Sequence, residues 1–119
     1  MAEAKHRIVI APFAGRVRVS YSGESIADSA HALLLRESGC ADVFYVPRTD
    51  AAMEHLQPSD TVSHCPHKGD AAYFHVTHGD RIARDAVWTY PDPLPAVRKI
   101  AGYLAFYTDK VEVETVPLG

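Results

Sequence analysis

Apolar residues along this chain recur with a period of two. Val17, Val19 and Tyr21 share one face of a segment whose other face carries Arg16, Arg18 and Ser20, as a strand with one side against a core and one against water requires. Ser22-Gly23 supplies a turn into a second strand over Glu24 to Asp28, Ala32 to Arg36 is an apolar run that fits strand or helix by pattern alone and is read here as a third strand, and Asp42 to Val46, β-branched and aromatic, reads as a fourth that ends at Pro47. Asp50 is placed to cap a short helix through Leu56, with Pro58 as its stop. Thr61 to Cys65 leads into a turn over Pro66 to Gly69, Ala71 to Thr77 leads out of it, and His78-Gly79-Asp80 turns the chain again toward Ala86 to Tyr90. Pro91, Pro93 and Pro95 break the pattern, and Ala96 to Ala101 reads as a helical turn or two. Tyr103 to Tyr107 and Val111 to Val116, joined by Thr108-Asp109-Lys110, close the chain as a hairpin. Roughly eight to ten short strands without a long helical crossover predict a mainly β domain with antiparallel neighbours and one or two short helices.

A chain of 119 residues is one domain by size, and 47% hydrophobic with 23% charged residues is the composition of a globular protein. No apolar run is long enough to span a bilayer, so no membrane partner is expected. Met1 to His6 lacks the apolar segment and cleavage site of a signal peptide, which implies a cytoplasmic location. There Cys40 and Cys65 stay reduced, and two cysteines are too few for a disulfide framework. The formal charge is -3 and the basic residues are scattered, which removes the electrostatic footprint of a nucleic-acid binder.

Chemistry concentrates in Thr61-Val62-Ser63-His64-Cys65-Pro66-His67-Lys68-Gly69-Asp70, where a thiol, two imidazoles and an ammonium fall within five positions of each other beside a turn-fixing Pro and Gly. Neighbouring cationic groups lower the pKa of a thiol, and Gly69 lets backbone approach a ligand closely. Strand alternation puts Thr61, Ser63 and Cys65 on one face and Val62 with His64 on the other. On one reading Cys65 is a nucleophile or polar contact, with Lys68 as its electrostatic partner or as an anchor for an anionic group. On the other, Cys65 is a small buried hydrophobe and Lys68 a solvated turn residue. His64, His67, His75 and His78 with Cys65 are zinc ligands by residue type, but their spacing matches no tetrahedral pattern, so neither metal nor cofactor is expected. Ser63, a histidine and Asp70 or Asp85 can be combined into a triad only on paper, because no nucleophile elbow is present. Trp88 and Tyr90 share a strand face, where two amphipathic rings line a pocket or close the core, and Tyr103, Phe106 and Tyr107 read as core. Asp28, Arg36, Glu37 and Asp50 are polar groups near strand ends, where binding residues concentrate.

Taken together the chain resembles the DUF427 family. The resemblance is carried by Arg16-Val17-Arg18-Val19, Gly23 with Ile26-Ala27-Asp28-Ser29, Ala32-Leu33 with Glu37, Tyr45-Val46-Pro47 with Asp50, Cys65-Pro66-x-Lys68-Gly69, Trp88-x-Tyr90-Pro91-x-Pro93, and Ile100-Ala101-Gly102-Tyr103 with Phe106-Tyr107, in that order from about residue 6 to residue 114. The family pattern has Tyr where this chain has His67, which adds a titratable group beside Cys65. The resemblance implies a small mainly β fold like that of the β-tent or Mss4-like proteins. Zinc sites in that fold rest on paired CxxC motifs, which this chain lacks. Some classifications give the family a nucleotidyltransferase-type label, yet the chain has no Gly-Ser motif with paired carboxylates to hold magnesium. Two functions fit the residues. One is a site for a small polar or anionic ligand, walled by Thr61, Ser63, Cys65, His67, Lys68, Gly69, Trp88 and Tyr90 and enzymatic if Cys65 is activated. The other is a non-catalytic interaction or structural β module in which the same residues lock the central turn.

Overall fold

The computed structural model describes residues 6–118 and is built of three small antiparallel sheets. The expectation about a signal peptide concerns a segment that, through residue 5, lies outside the described residues. In the first sheet β1 (Ile8–Pro12) pairs with β4 (Leu33–Glu37), which pairs with β5 (Val43–Tyr45). In the second, β2 (Gly15–Tyr21) lies between β3 (Glu24–Ser29) and β10 (Glu112–Pro117). The third runs β6 (Leu56–Cys65), β7 (Gly69–His78), β8 (Arg81–Thr89), β9 (Leu104–Phe106). The mainly β expectation holds, with strands where the alternation placed them. β1 escapes that pattern because Ile8 to Ala11 is apolar throughout.

Val17 and Val19 are buried while Arg16 and Arg18 face outward toward Asp28 and Glu114 on the neighbouring strands. That inner face packs with Ile26, Val46, Val76, Val87 and Leu104 into one core; Leu35, Tyr45, Ala71, Tyr90, Val97, Ile100 and Ala105 form a second. Paired backbone hydrogen bonds of 2.8 Å between Val46 and Leu104 stitch the first sheet to the third. A Cβ at Gly15 would strike the Val116 carbonyl oxygen and come within 2.8 Å of the Phe13 ring, so β10 closes over β2 only because that position is glycine.

Two local expectations give way. Asp50 caps no helix: it ends a 3-10 turn over Arg48–Asp50, and its carboxylate accepts a 2.6 Å hydrogen bond from Ser29 Oγ. An Ala27–Ala51 bridge then interrupts the segment before a second 3-10 turn at Met53–His55, and Pro58 lies inside β6, an edge strand at an irregularity in register, where a missing N–H is tolerated. The last two strands form no hairpin. After the turn at Thr108–Lys110 the chain crosses sheets, β9 pairing with β8 and β10 with β2, because the buried Val17–Val19 strand needs a second neighbour and Val111 and Val113 supply apolar side chains to that core. Pro95–Ile100 is a 3-10 segment that buries Val97 and Ile100.

Candidate functional site

Glu37 ends β4, and the alternation that buries Leu35 carries the Glu37 side chain to the same face. Lys68 stands in the turn between β6 and β7. Its N–H donates to the Cys65 carbonyl at 3.1 Å and its own carbonyl accepts from Leu94 N–H at 2.8 Å, so the proline-rich segment holds the turn from outside. These two placements bring the Lys68 ammonium to 2.5 Å from the Glu37 carboxylate, with the side chains 10% and 9% exposed. An ammonium so far removed from water requires such a partner. Burial pushes the Glu37 carboxyl up, but the hydrogen bond and charge of Lys68, aided by His6 and His67, outweigh it and hold the group below its ordinary value.

The ion pair opens onto a cavity of about 220 Å³ walled by Tyr45, Tyr73, Trp88, Tyr90 and Tyr107. Trp88 near the end of β8 and Tyr90 just beyond it both line the cavity, and Tyr73 faces Trp88 in the β7–β8 register. Trp88 Nε1 donates to Tyr45 Oη at 3.3 Å, and its ring lies 4.5 Å from that of Tyr107. Burial raises the Tyr45 phenol to about 12, and burial with a Tyr73 hydrogen bond raises Tyr107 to about 12. Burial also raises Tyr90. These phenols keep their protons at neutral pH and remain hydrogen-bond donors.

The residues named from sequence divide. Lys68, Trp88 and Tyr90 wall the cavity. Cys65 is half-buried, packs against the second core, and has Sγ 3.8 Å from Lys68 Nζ, but it is not on the cavity wall. Lys68 is no solvated turn residue. Ser63 is exposed and bonded to the Tyr73 hydroxyl at 2.9 Å, so it reaches the cavity only through that phenol. Thr61 is drawn away: its hydroxyl donates to Asp85 at 2.7 Å, as does that of Ser59 at 2.5 Å. Those two bonds, ahead of other effects, hold the Asp85 carboxyl below its ordinary value. Asp85 has a φ of 51° and donates its N–H to His75 Nδ1 at 2.9 Å, pinning the irregularity that β7 makes there. The irregularity of β6 between Pro58 and Val62 therefore takes Thr61 out of the polar face that regular alternation places at Thr61, Ser63 and Cys65, while Ser63 and Cys65 keep regular pairing with β7. His67 stacks on His6 at 3.8 Å, and His6 Nε2 lies 2.9 Å from Glu37, so this imidazole backs the ion pair from the far side. Gly69 has a φ of 114°, whereas a Cβ there would sit 3.6 Å from Leu94 N and Pro93 Cα, so the turn conformation requires glycine. His64 pairs with Asp70 at 2.7 Å, but Ser63 bonds to no histidine, and no triad forms among the described residues.

Tyr45 and Tyr73, absent from the sequence-derived set, and Tyr107, read there as core, complete the wall. Their signal was legible in part, since Tyr45 ends a strand whose alternation matches that of β4 and Tyr73 pairs with Trp88. Both cysteines are free, and no helix among the described residues is long and apolar enough to cross a membrane. No curated protein matches the sequence. Residues 9–117 match the family described as a domain of unknown function, DUF427, and the chain belongs to that family.

Proposed function

We propose that the cavity beside Lys68 and Glu37 binds a small molecule bearing a carboxylate or similar acceptor group. The observation that carries this reading is a nearly buried ion pair opening onto a hollow ringed by tyrosine hydroxyls and the Trp88 ring. Lys68 has three N–H bonds, of which Glu37 takes one and Cys65 Sγ a second, and the phenols of Tyr73 and Tyr107 stand on the same wall. Trp88 and Tyr107, their rings in contact and inclined at 45°, offer an aromatic wall to the rest of the ligand. Few apolar atoms fit beside the acceptor group in so small a cavity, which favours a compact metabolite over a nucleotide. Cys65 stands behind Lys68 rather than on the wall, which favours binding without a covalent step. A cytoplasmic setting suits such a ligand and the two free thiols.

A second reading, an interaction module, draws on β6. It is an edge strand with Val62 75% exposed, and an edge of that kind can accept a partner strand. Thermal unfolding in the presence of a panel of small carboxylates separates the two. The binding reading expects at least one member to raise the midpoint in a saturable way, and Tyr73→Phe with Tyr107→Phe to weaken that ligand at least tenfold while the midpoint without ligand stays close to the parent's. A panel with no active member, or a shift insensitive to both phenols, overturns it and leaves the interaction reading.

A further inference from the structure

At the far end of β7 from the cavity, three side chains converge that the proposed binding site does not use. Glu24 opens β3, His55 ends the second 3-10 turn, and His78 ends β7. One ligating atom from each lies within 4.8 Å of the others. His55 Nε2 is 3.9 Å from Glu24 Oε2, His78 Nδ1 is 3.8 Å from Glu24 Oε1, and the two imidazoles meet edge to face with centroids 5.6 Å apart.

The orientation of His55 is fixed by its other nitrogen. Nδ1 lies 2.9 Å from the Thr77 carbonyl oxygen, which only accepts, so Nδ1 donates there and Nε2 is the nitrogen turned toward Glu24. The Thr77 hydroxyl in turn donates to the His55 carbonyl at 3.3 Å, clamping the residue from both sides. An imidazole held through its second nitrogen by a backbone carbonyl is how metal-binding histidines are oriented.

We propose that Glu24, His55 and His78 bind one divalent ion of the zinc class. Two imidazoles and one carboxylate are the donor set for such ions, and harder cations prefer oxygen alone. Tetrahedral coordination at about 2.0–2.1 Å per bond needs ligand atoms roughly 3.3 Å apart. The present separations exceed this by an amount that rotation of Glu24 and His78, 41% and 38% exposed, removes. The exposed side leaves the fourth position to water. An ion there ties the second sheet to the β7–β8 end of the third. The spacing of His64, His67, His75, His78 and Cys65 gave no metal pattern because two of the three ligands lie outside that group.

Tyr73, the cavity residue on β7, lies five positions from His78, about 17 Å at the usual strand rise, and the two sites share no residue, so either stands without the other. The test is calorimetric titration of the full chain with Zn²⁺, with Co²⁺ absorbance as a report on geometry and circular dichroism to verify folding of each variant. One ion per chain is expected with micromolar or tighter affinity, weakened at least tenfold by H78A and by E24Q, and unchanged by H64A, which removes an exposed imidazole elsewhere. Mg²⁺ is expected not to compete. Absence of saturable Zn²⁺ binding, or binding that H78A and E24Q leave intact, overturns the proposal.

Discussion

Replacing Lys68 with Met tests the physical basis of the candidate binding site. The substitution keeps the length of the stem and removes only the charge, leaving the Glu37 carboxylate 9% exposed with His6 as its one remaining ionic partner among the described residues. Breaking a buried pair by removing one member costs about 3–5 kcal/mol, and access to water through the cavity puts the cost near the lower end, about 3 kcal/mol. A chain of 119 residues loses about 0.25 kcal/mol per degree at its midpoint, so Lys68→Met is expected to lower the melting temperature by about 12 °C. The pH dependence carries an independent sign. In the parent the Glu37 carboxyl titrates below its ordinary value of 4.5, so the stabilisation is complete above that pH and is lost as pH falls through the lower folded value. In Lys68→Met burial acts with less opposition and the folded value rises above the unfolded one, so the contribution of Glu37 changes sign and stability declines as pH rises through this region. Calorimetric melting from pH 3.5 to 7 reads both effects. A loss of less than about 4 °C, the level of an exposed pair, or an acid profile identical to the parent's, refutes the claim that the pair is buried and coupled.

Two further predictions concern groups around the same strand. Thr89 is 1% exposed and its hydroxyl has no hydrogen-bond partner among the described residues, so Thr89→Val, nearly identical in shape, is expected to stabilise the protein by about 1 kcal/mol. In urea titration this appears as a higher midpoint at unchanged slope, and a lower midpoint would show that the hydroxyl is satisfied. Tyr45 and Tyr107 ionise near 12 in the folded chain against 10 when unfolded, so the stability they confer is present below pH 10 and lost as pH rises from there through their folded values. Absorbance near 295 nm should accordingly show the phenols titrating in two groups, with Tyr45→Phe removing amplitude only from the upper one; a single transition near pH 10 in folded protein contradicts the burial.

Much of the architecture was legible because strands carry their signal locally. The Val17–Val19 face, the Ser22-Gly23 turn and the Pro66–Gly69 turn each follow from a few adjacent residues. Strand partnership is not local, which is why the final turn read as a hairpin although β10 belongs beside β2. The site shows the same division. Lys68, Trp88 and Tyr90 stood out by type and spacing, but Glu37, more than thirty positions away from Lys68, stood out only as a polar group near a strand end, and its pairing with Lys68 depends on how two sheets meet. Thr61 was drawn onto the same face as Cys65 by assuming a regular strand. The bulges at Pro58 and His75 and the left-handed Asp85 redirect it, and bulges leave little trace in an alternating pattern.

The ion pair also separates what holds the fold from what the cavity does. A buried Lys–Glu pair is a costly way to close a turn, since apolar side chains of similar volume close it as well or better. The backbone bonds from Lys68 N–H to Cys65 and from Leu94 N–H to the Lys68 carbonyl hold the turn without the side chain, and Gly69 supplies its left-handed residue. Stability alone therefore accounts poorly for an ammonium and a carboxylate at the floor of a hollow lined with phenolic donors. A chain carrying both Lys68→Met and Glu37→Leu has no stranded charge, and it is expected to recover most of the 12 °C lost by the single substitution. The same double variant loses the ammonium, and a carboxylate ligand of the parent should no longer shift its midpoint. Recovered stability with ligand response intact would place recognition on the aromatic wall alone. Failure to recover would make the pair a structural lock and remove the reason for linking it to a ligand.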